Sequence, residues 1–249
     1  MNLLILGESD SIGMALTDPS QAWGHRIPVE LADITGAAPR TVHVRFYPWA
    51  GKSAEYLESV LEQGPFDAVV VSATKVAFTV YSADNRVRKV LGDRAGDWFK
   101  GSVRQFDRQT LWRKPPGLRR NLNAAAHKAA RRLIGQAADT SARVVAESYV
   151  QAFSRLARLE DARIVVVAAP PLPSPAARRR PKLRQEVEWF RSAIQEECRR
   201  RHFTHFDGES VLPAPGPDRD ALFIDDVHKT PALHQILGRR LAEILAAPA

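Results

Sequence analysis

"LLILGESDSIG", residues Leu3 to Gly13, is the stretch on which the reading of this chain turns. Asn2–Leu6 is a short run, apolar from Leu3 on, as expected of a buried strand. Gly7 ends it, and two acids and two serines follow before Gly13. A buried strand that stops on such a turn opens an α/β sheet. In a parallel sheet of that kind, ligands bind beyond the carboxyl ends of the strands. Ser9 and Ser11 both stand at such an end, and either one is a candidate for chemistry.

Outward from this stretch, strands and helices alternate. Ser20–Ala32 suits an amphipathic helix with Trp23, Ile27 and Leu31 on one face, and Pro28 predicts a kink or a break in it. Thr41–Phe46 alternates and is β-branched, which reads as a second strand. Ser53–Gln63 reads as a helix capped by Ser53 and stopped by Gly64-Pro65. "DAVVVSA", Asp67–Ala73, is a third buried strand, and "ARIVVVAA", Ala162–Ala169, is a fourth, closed by Pro170-Pro171. A helix over about Lys182–Arg201 leads to a short fifth strand at Phe203–Phe206, and a last helix covers about Pro231–Leu245. Strands separated by helices predict a parallel sheet covered on both faces.

About ninety residues lie between the third and fourth strands, far more than one crossover helix needs. Asn85–Arg120 is basic and dotted with aromatic residues, and Asn121–Leu159 is helical in composition. Residues 85–160 are therefore read as an insertion, a lid or a partner surface, within a single domain spanning 1–249. The strand exits at Gly7–Gly13, Trp49–Ser53, Ala73–Val76 and Pro170–Pro173 then face one crevice.

Composition narrows the function classes. The chain has 249 residues, 45% of them hydrophobic, enough for a sizeable core. Its one cysteine, Cys198, rules out an intrachain disulfide and a cysteine zinc cluster, and reads as a small buried apolar residue. No apolar run reaches the roughly 18–20 residues of a membrane span. No signal peptide is visible ahead of the first strand, and the expectation is a cytoplasmic protein. The net charge of +8 would attract polyanions. The excess is mostly arginine, in runs such as 178–180 and 199–201, with no zinc-finger, KH or RRM signature beside it, so nucleic acid is not the expected partner. The first loop lacks the Gly-x-Gly-x-x-Gly spacing, and Glu8 and Asp10 would repel phosphate, so no nucleotide or flavin cofactor is expected.

A serine hydroxyl is a poor nucleophile unless a base takes its proton and a third group orients that base. Among seven histidines, His228 stands out in "FIDDVHKTPALHQILGRRLAEIL". It precedes the last helix, with Asp225 three residues earlier. In a turn, that spacing brings a carboxylate to one imidazole nitrogen and leaves the other for a serine. Read without a serine in view, Asp225 and Asp226 are loop acids near a helix start, where acids are favoured anyway.

A first strand ending in Gly-x-Ser, joined to a C-terminal Asp-x-x-His and a helix, resembles the SGNH, or GDSL, hydrolases. The resemblance implies a flavodoxin-like, three-layer α/β/α fold with a parallel sheet of about five strands, and serine esterase activity without a metal or cofactor. Gly7-Glu8-Ser9 matches the first motif with Glu8 in place of the usual Asp, and Ser11 and Gly13 fit its continuation. Ser9 is then the nucleophile position, and Ser11 a supporting turn residue. Asp225 becomes the orienting acid and His228 the base. "YPWAGKSAEYL" offers Gly51 for the second motif, whose backbone N–H joins that of Ser9 in an oxyanion hole.

The third motif departs from the family. An Asn that donates to the oxyanion is usual after the third strand, yet "SATKVAF" places Thr74 and Lys75 there. Loss of one such donor costs about a hundred- to a thousandfold in rate. Lys75, Thr74 or Asn85 is expected to donate instead. The resulting expectation is a carboxylic ester hydrolase acting on small-molecule or carbohydrate esters. The missing Asn keeps open an alternative: a catalytically weak or inactive SGNH-fold protein that acts as a binding or interaction module through its basic insertion.

Overall fold

The computed structural model describes residues 1–8, 10–13, 16–79, 81–82, 91–92, 94–95, 137–138, 140–171, 181–214, 216–224 and 229–248. The chain forms two compact units, Met1–Lys75 with Ala142–Ala249, and Val76–Ser141. In the second unit, a helical turn at Val76–Thr79 is followed by Tyr81–Ser82, which pairs antiparallel with Ala137–Ala138.

The first unit is built on five parallel strands: β1 (Asn2–Gly7), β2 (Arg40–Arg45), β3 (Ala68–Ser72), β4 (Arg163–Val167) and β5 (Thr204–Phe206). Their order is β2-β1-β3-β4-β5, the flavodoxin-like order, with Leu3 opposite Ala68 and Val70 opposite Val165. The chain reverses direction across the sheet between β1 and β3, so the crevice lies where their carboxyl ends diverge. Buried on both faces, β1 and β3 need continuous apolar runs, and every residue of β3 is buried.

Five long helices cover the sheet: α1 (Trp23–Thr35), α2 (Ser53–Leu61), α3 (Ala142–Leu156), α4 (Pro181–Arg200) and α5 (Pro231–Ala246). Leu3 and Ile5 of β1 pack with Trp23, Ile27 and Leu31 of α1 and Leu237 and Leu241 of α5. Leu4 and Leu6, alternating to the other face, lie on the side of α2, α3 and α4. There Tyr149 of α3 stacks at 5.8 Å on Phe153 and at 6.0 Å on Phe190 of α4. This is the expected three-layer α/β/α architecture with a five-stranded parallel sheet.

Local departures from expectation have local causes. α1 continues through Pro28, because Ile27 and Leu31 on either side of it are buried against the sheet and α5. Ser53 does not cap α2. Lys52 takes the cap position in the left-handed region, φ 63°, and the Ser53 hydroxyl donates instead to the Pro48 carbonyl at 2.6 Å. The second compact unit runs from Val76 to Ser141. α3 lies in the sheet's own unit, because the stripe Val145, Tyr149, Phe153 and Leu156 is fully buried there. Cys198 is buried on α4, which holds its thiol up at about 12, with Glu197 adding to the rise. The arginine run at the end of α4 engages its own helix: Arg199 and Arg200 pair with Glu196, and Arg201 with Glu197.

Candidate active site

The turn after β1 is wound tightly around one carbonyl. Glu8 O accepts from the Ser11 N–H at 3.0 Å, the Ile12 N–H at 3.3 Å and the Ser11 hydroxyl at 2.8 Å. Only glycine fits at position 7. A Cβ there would lie 1.8 Å from the Ser11 oxygen. A second close approach occurs at Gly24 of α1, where a Cβ would meet Ser11 O and His43 at 2.6 Å. Ser11 is fully buried, which suits a turn residue rather than a nucleophile. Its one proton goes to Glu8 O, so at its 3.3 Å contact with His43 Nε2 it accepts, and the ring donates. His43 is thus a neutral partner of the turn, and burial, with His25 adding to it, lowers its pKa to about 4. Glu8 is buried, and its carboxylate accepts from the Asp10 N–H at 3.4 Å, the behaviour of a structural acid.

Asp10 carries the turn across to the C-terminal loop. Its Oδ2 pairs with Lys229 Nζ, and its Oδ1 faces His234 Nε2 at 3.6 Å. Asp10 and Lys229 are only 4% and 8% exposed, so this is a buried charge pair and not a surface one. His234, on α5, receives the Trp23 N–H at Nδ1 at 3.2 Å. An accepting Nδ1 carries no proton, so the neutral ring holds its proton on Nε2, toward Asp10. The same contact caps α1, whose own cap position, Ala22, offers no side-chain acceptor. Lys229 also pairs with Phe223 in a β-bridge, and the Thr230 N–H donates to Leu222 O at 2.9 Å. Residues 222–223 and 229–230 are therefore joined by backbone bonds, and Lys229 ties them to the β1 turn by charge.

The exits of β3 and β4 are held by different groups. The Tyr149 hydroxyl donates to Ser72 O at 2.7 Å and accepts from the Thr74 N–H at 3.0 Å. Complete burial raises its phenol pKa above the ordinary range. The buried Lys75 ammonium donates to Pro170 O at 2.6 Å and Pro171 O at 2.9 Å, joining the two exits. At the β2 exit, Gly51 is exposed in the turn before α2, near the half-buried Tyr47 and Trp49. A pocket at this end of the sheet is lined by Glu8, Asp10, Thr74, Ala169, Phe223 and Lys229, among others.

Of the residues singled out from sequence, Gly51, Thr74 and Lys75 stand at the carboxyl ends of β2 and β3, as does Ser11 at that of β1. Ser9, Asp225, His228 and Asn85 lie outside the described residues. Asp10, Lys229, His234 and Tyr149 were not singled out, although two of them adjoin residues that were. Among the described residues, no group of three or more His, Cys, Asp or Glu could hold a metal ion, and no helix is long and apolar enough to cross a membrane.

Comparison with solved structures extends over nearly the whole chain. Est24, a carbohydrate acetylesterase from Sinorhizobium meliloti, is 12% identical with a TM-score of 0.56, and 98% of each chain is covered. Axe2, an acetylxylan esterase from Geobacillus stearothermophilus, is 12% identical with a TM-score of 0.56, covering 99% of this chain and 94% of its own. The aryl esterase of M. smegmatis is 14% identical with a TM-score of 0.52, over 98% and 97%. The chain shares the fold of these esterases. No family model and no curated protein matches the sequence.

Proposed function

We propose that this protein is a serine esterase that cleaves carboxylic esters through an acyl-enzyme. One observation carries most of the weight. The residue that follows Ser9, Asp10, and the residue that follows His228, Lys229, form a buried ion pair across 219 positions of sequence. This pairing of their immediate neighbours supports reading the two sequence motifs as parts of one site. The solved structures of like fold support the same chemistry, since their names include carbohydrate acetylesterase, acetylxylan esterase and aryl esterase.

In this mechanism the Ser9 hydroxyl attacks the ester carbonyl and His228 takes its proton, held in orientation by Asp225. The tetrahedral oxyanion is held by the backbone N–H groups of Ser9 and Gly51. His228 returns the proton to the departing alcohol. Water, activated by the same imidazole, then releases the acid from Ser9. A third oxyanion donor comes from Thr74, Lys75 or Asn85. The Thr74 N–H already serves the Tyr149 hydroxyl, and two Lys75 protons serve Pro170 and Pro171, which favours a bracing role for both residues. The substrate class is a short acyl ester of a carbohydrate or small molecule. We assign the protein to the cytoplasm, and the inserted unit, Val76–Ser141, to a lid or partner surface.

The test is p-nitrophenyl acetate hydrolysis by wild type, Ser9→Ala and His228→Ala. Wild-type turnover that falls by about a thousandfold or more in both variants is the expected result. Wild-type protein that hydrolyses no faster than Ser9→Ala would sink the proposal.

A further inference from the structure

We infer that Asp10 and Lys229, with His234 behind them, are positioning residues: a buried charged clasp that sets the separation between the β1 turn and the loop before α5. This rests on the esterase reading for its catalytic consequence, but the clasp itself stands on described residues.

A buried ion pair is seldom favoured for stability alone, because desolvating both charges offsets most of their attraction. What such a pair does well is fix one register, since neither partner finds an equal substitute elsewhere in an apolar setting. Around Asp10 and Lys229 lie the apolar Trp23, Val167, Leu233 and Leu237, with Glu8 as the other charged side chain lining the same pocket. Both ends of the clasp are themselves rigid. Asp10 sits in the turn whose Glu8 carbonyl takes three donors, and Lys229 sits in the Phe223 bridge, one residue from the Thr230–Leu222 bond. His234 supplies a third tether by joining the Asp10 side to the first N–H of α1. Three elements that are far apart in sequence, the turn, the loop base and the α1–α5 pair, therefore meet at one carboxylate. A group that only filled space there would need neither the second carboxylate contact nor the backbone bridge beside the lysine.

The clasp predicts a split between turnover and binding. Nucleophile and base act only at hydrogen-bonding distance, and displacement by about 1 Å costs roughly a hundredfold. Substrate contacts made elsewhere in the crevice would persist. Removing one charge alone could unfold the protein, so the informative variant removes both: Asp10→Asn with Lys229→Gln. Its partner is Lys229→Arg, which keeps the charge.

Two measurements test this on the full chain. In p-nitrophenyl acetate hydrolysis, the double variant is expected to lose about ten- to a hundredfold in kcat with KM within about threefold, and Lys229→Arg to recover most of the loss. In hydrogen exchange, the amides of 222–230 are expected to open at least about tenfold faster in the double variant than in wild type, while those of β1 and β3 hold. If exchange in 222–230 is unchanged, the clasp is wrong, whatever the enzyme does. If exchange quickens but kcat stays at the wild-type value, the clasp exists and does not position catalysis, which overturns the inference as stated. If wild type shows no Ser9-dependent hydrolysis, the esterase reading fails, and the exchange comparison still decides the clasp.

Discussion

The two sides of the crevice are braced by opposite means. On the β1 side, the turn is joined to the 223–230 segment by charge: Asp10, Lys229 and the proton that His234 directs at Asp10. On the β3 side, the exits are joined by neutral or singly charged donors meeting backbone carbonyls: the Tyr149 hydroxyl on Ser72 and the Lys75 ammonium on Pro170 and Pro171. The difference follows from what each side joins. β3 and β4 are hydrogen-bonded neighbours, so their exits need only a local bridge between carbonyls that the sheet already holds close. Among the described residues, no backbone hydrogen bond joins the β1 turn to the segment before α5, and side chains do the joining. Charge is the strong, register-fixing choice there, and the weak one for stability.

Breaking each brace should expose that asymmetry. Lys229→Met leaves Asp10 charged and buried beside an apolar side chain, and should cost about 3–5 kcal/mol in urea unfolding. Gly7→Ala drives a methyl into the Ser11 hydroxyl and should cost about 3 kcal/mol, or unfold the turn outright. Tyr149→Phe removes one hydroxyl that serves both Ser72 O and the Thr74 N–H, and should cost about 1–3 kcal/mol by the same measurement. If Tyr149→Phe proves as costly as Lys229→Met, the two braces are equivalent and the contrast drawn between them is lost.

A smaller effect is read from pH. His43 holds a folded pKa of about 4, below the ordinary 6.5, so as pH falls the unfolded chain takes up this proton first. Its contribution to stability is intact above about pH 6.5, is lost progressively down to about pH 4, and changes no further below that. His43→Gln should flatten urea midpoints across that window, and an unchanged pH slope would remove His43 from the account. The smallest effect is at Cys198, whose burial and raised thiol should leave it unreactive to a thiol reagent in the native protein and reactive once unfolded. Fast native labelling would show that α4 opens away from the sheet.

The sheet was legible because burial on both faces forces continuous apolar runs: "LLIL", "AVVV" and "RIVVV" stand within a residue or so of the observed strands. The composition of Asn121–Leu159 offers no break to mark where α3 begins. Tyr149 there pairs with residues 75 and 77 positions away, a distance that no local pattern encodes. The site divides in the same way. Gly7 and Gly51 announce themselves by backbone need and by motif. Asp10 and Lys229 do not, since an acid beside Glu8 and a lysine 219 positions later carry no sign of each other until the fold brings them together. The absence of an Asn after β3 was legible, but its consequence was not. Thr74 and Lys75 are fastened to Tyr149, Pro170 and Pro171, and those partners come from two other segments.

The central claim is that Ser9 is an activated nucleophile. Treating native protein with a fluorophosphonate and mapping the adduct by peptide mass tests it most directly. The account predicts stoichiometric labelling of Ser9, leaving Ser11 unmodified, with the rate falling by about a thousandfold in His228→Ala. Labelling at Ser11, or none at all in protein that is folded by its urea transition, would contradict it.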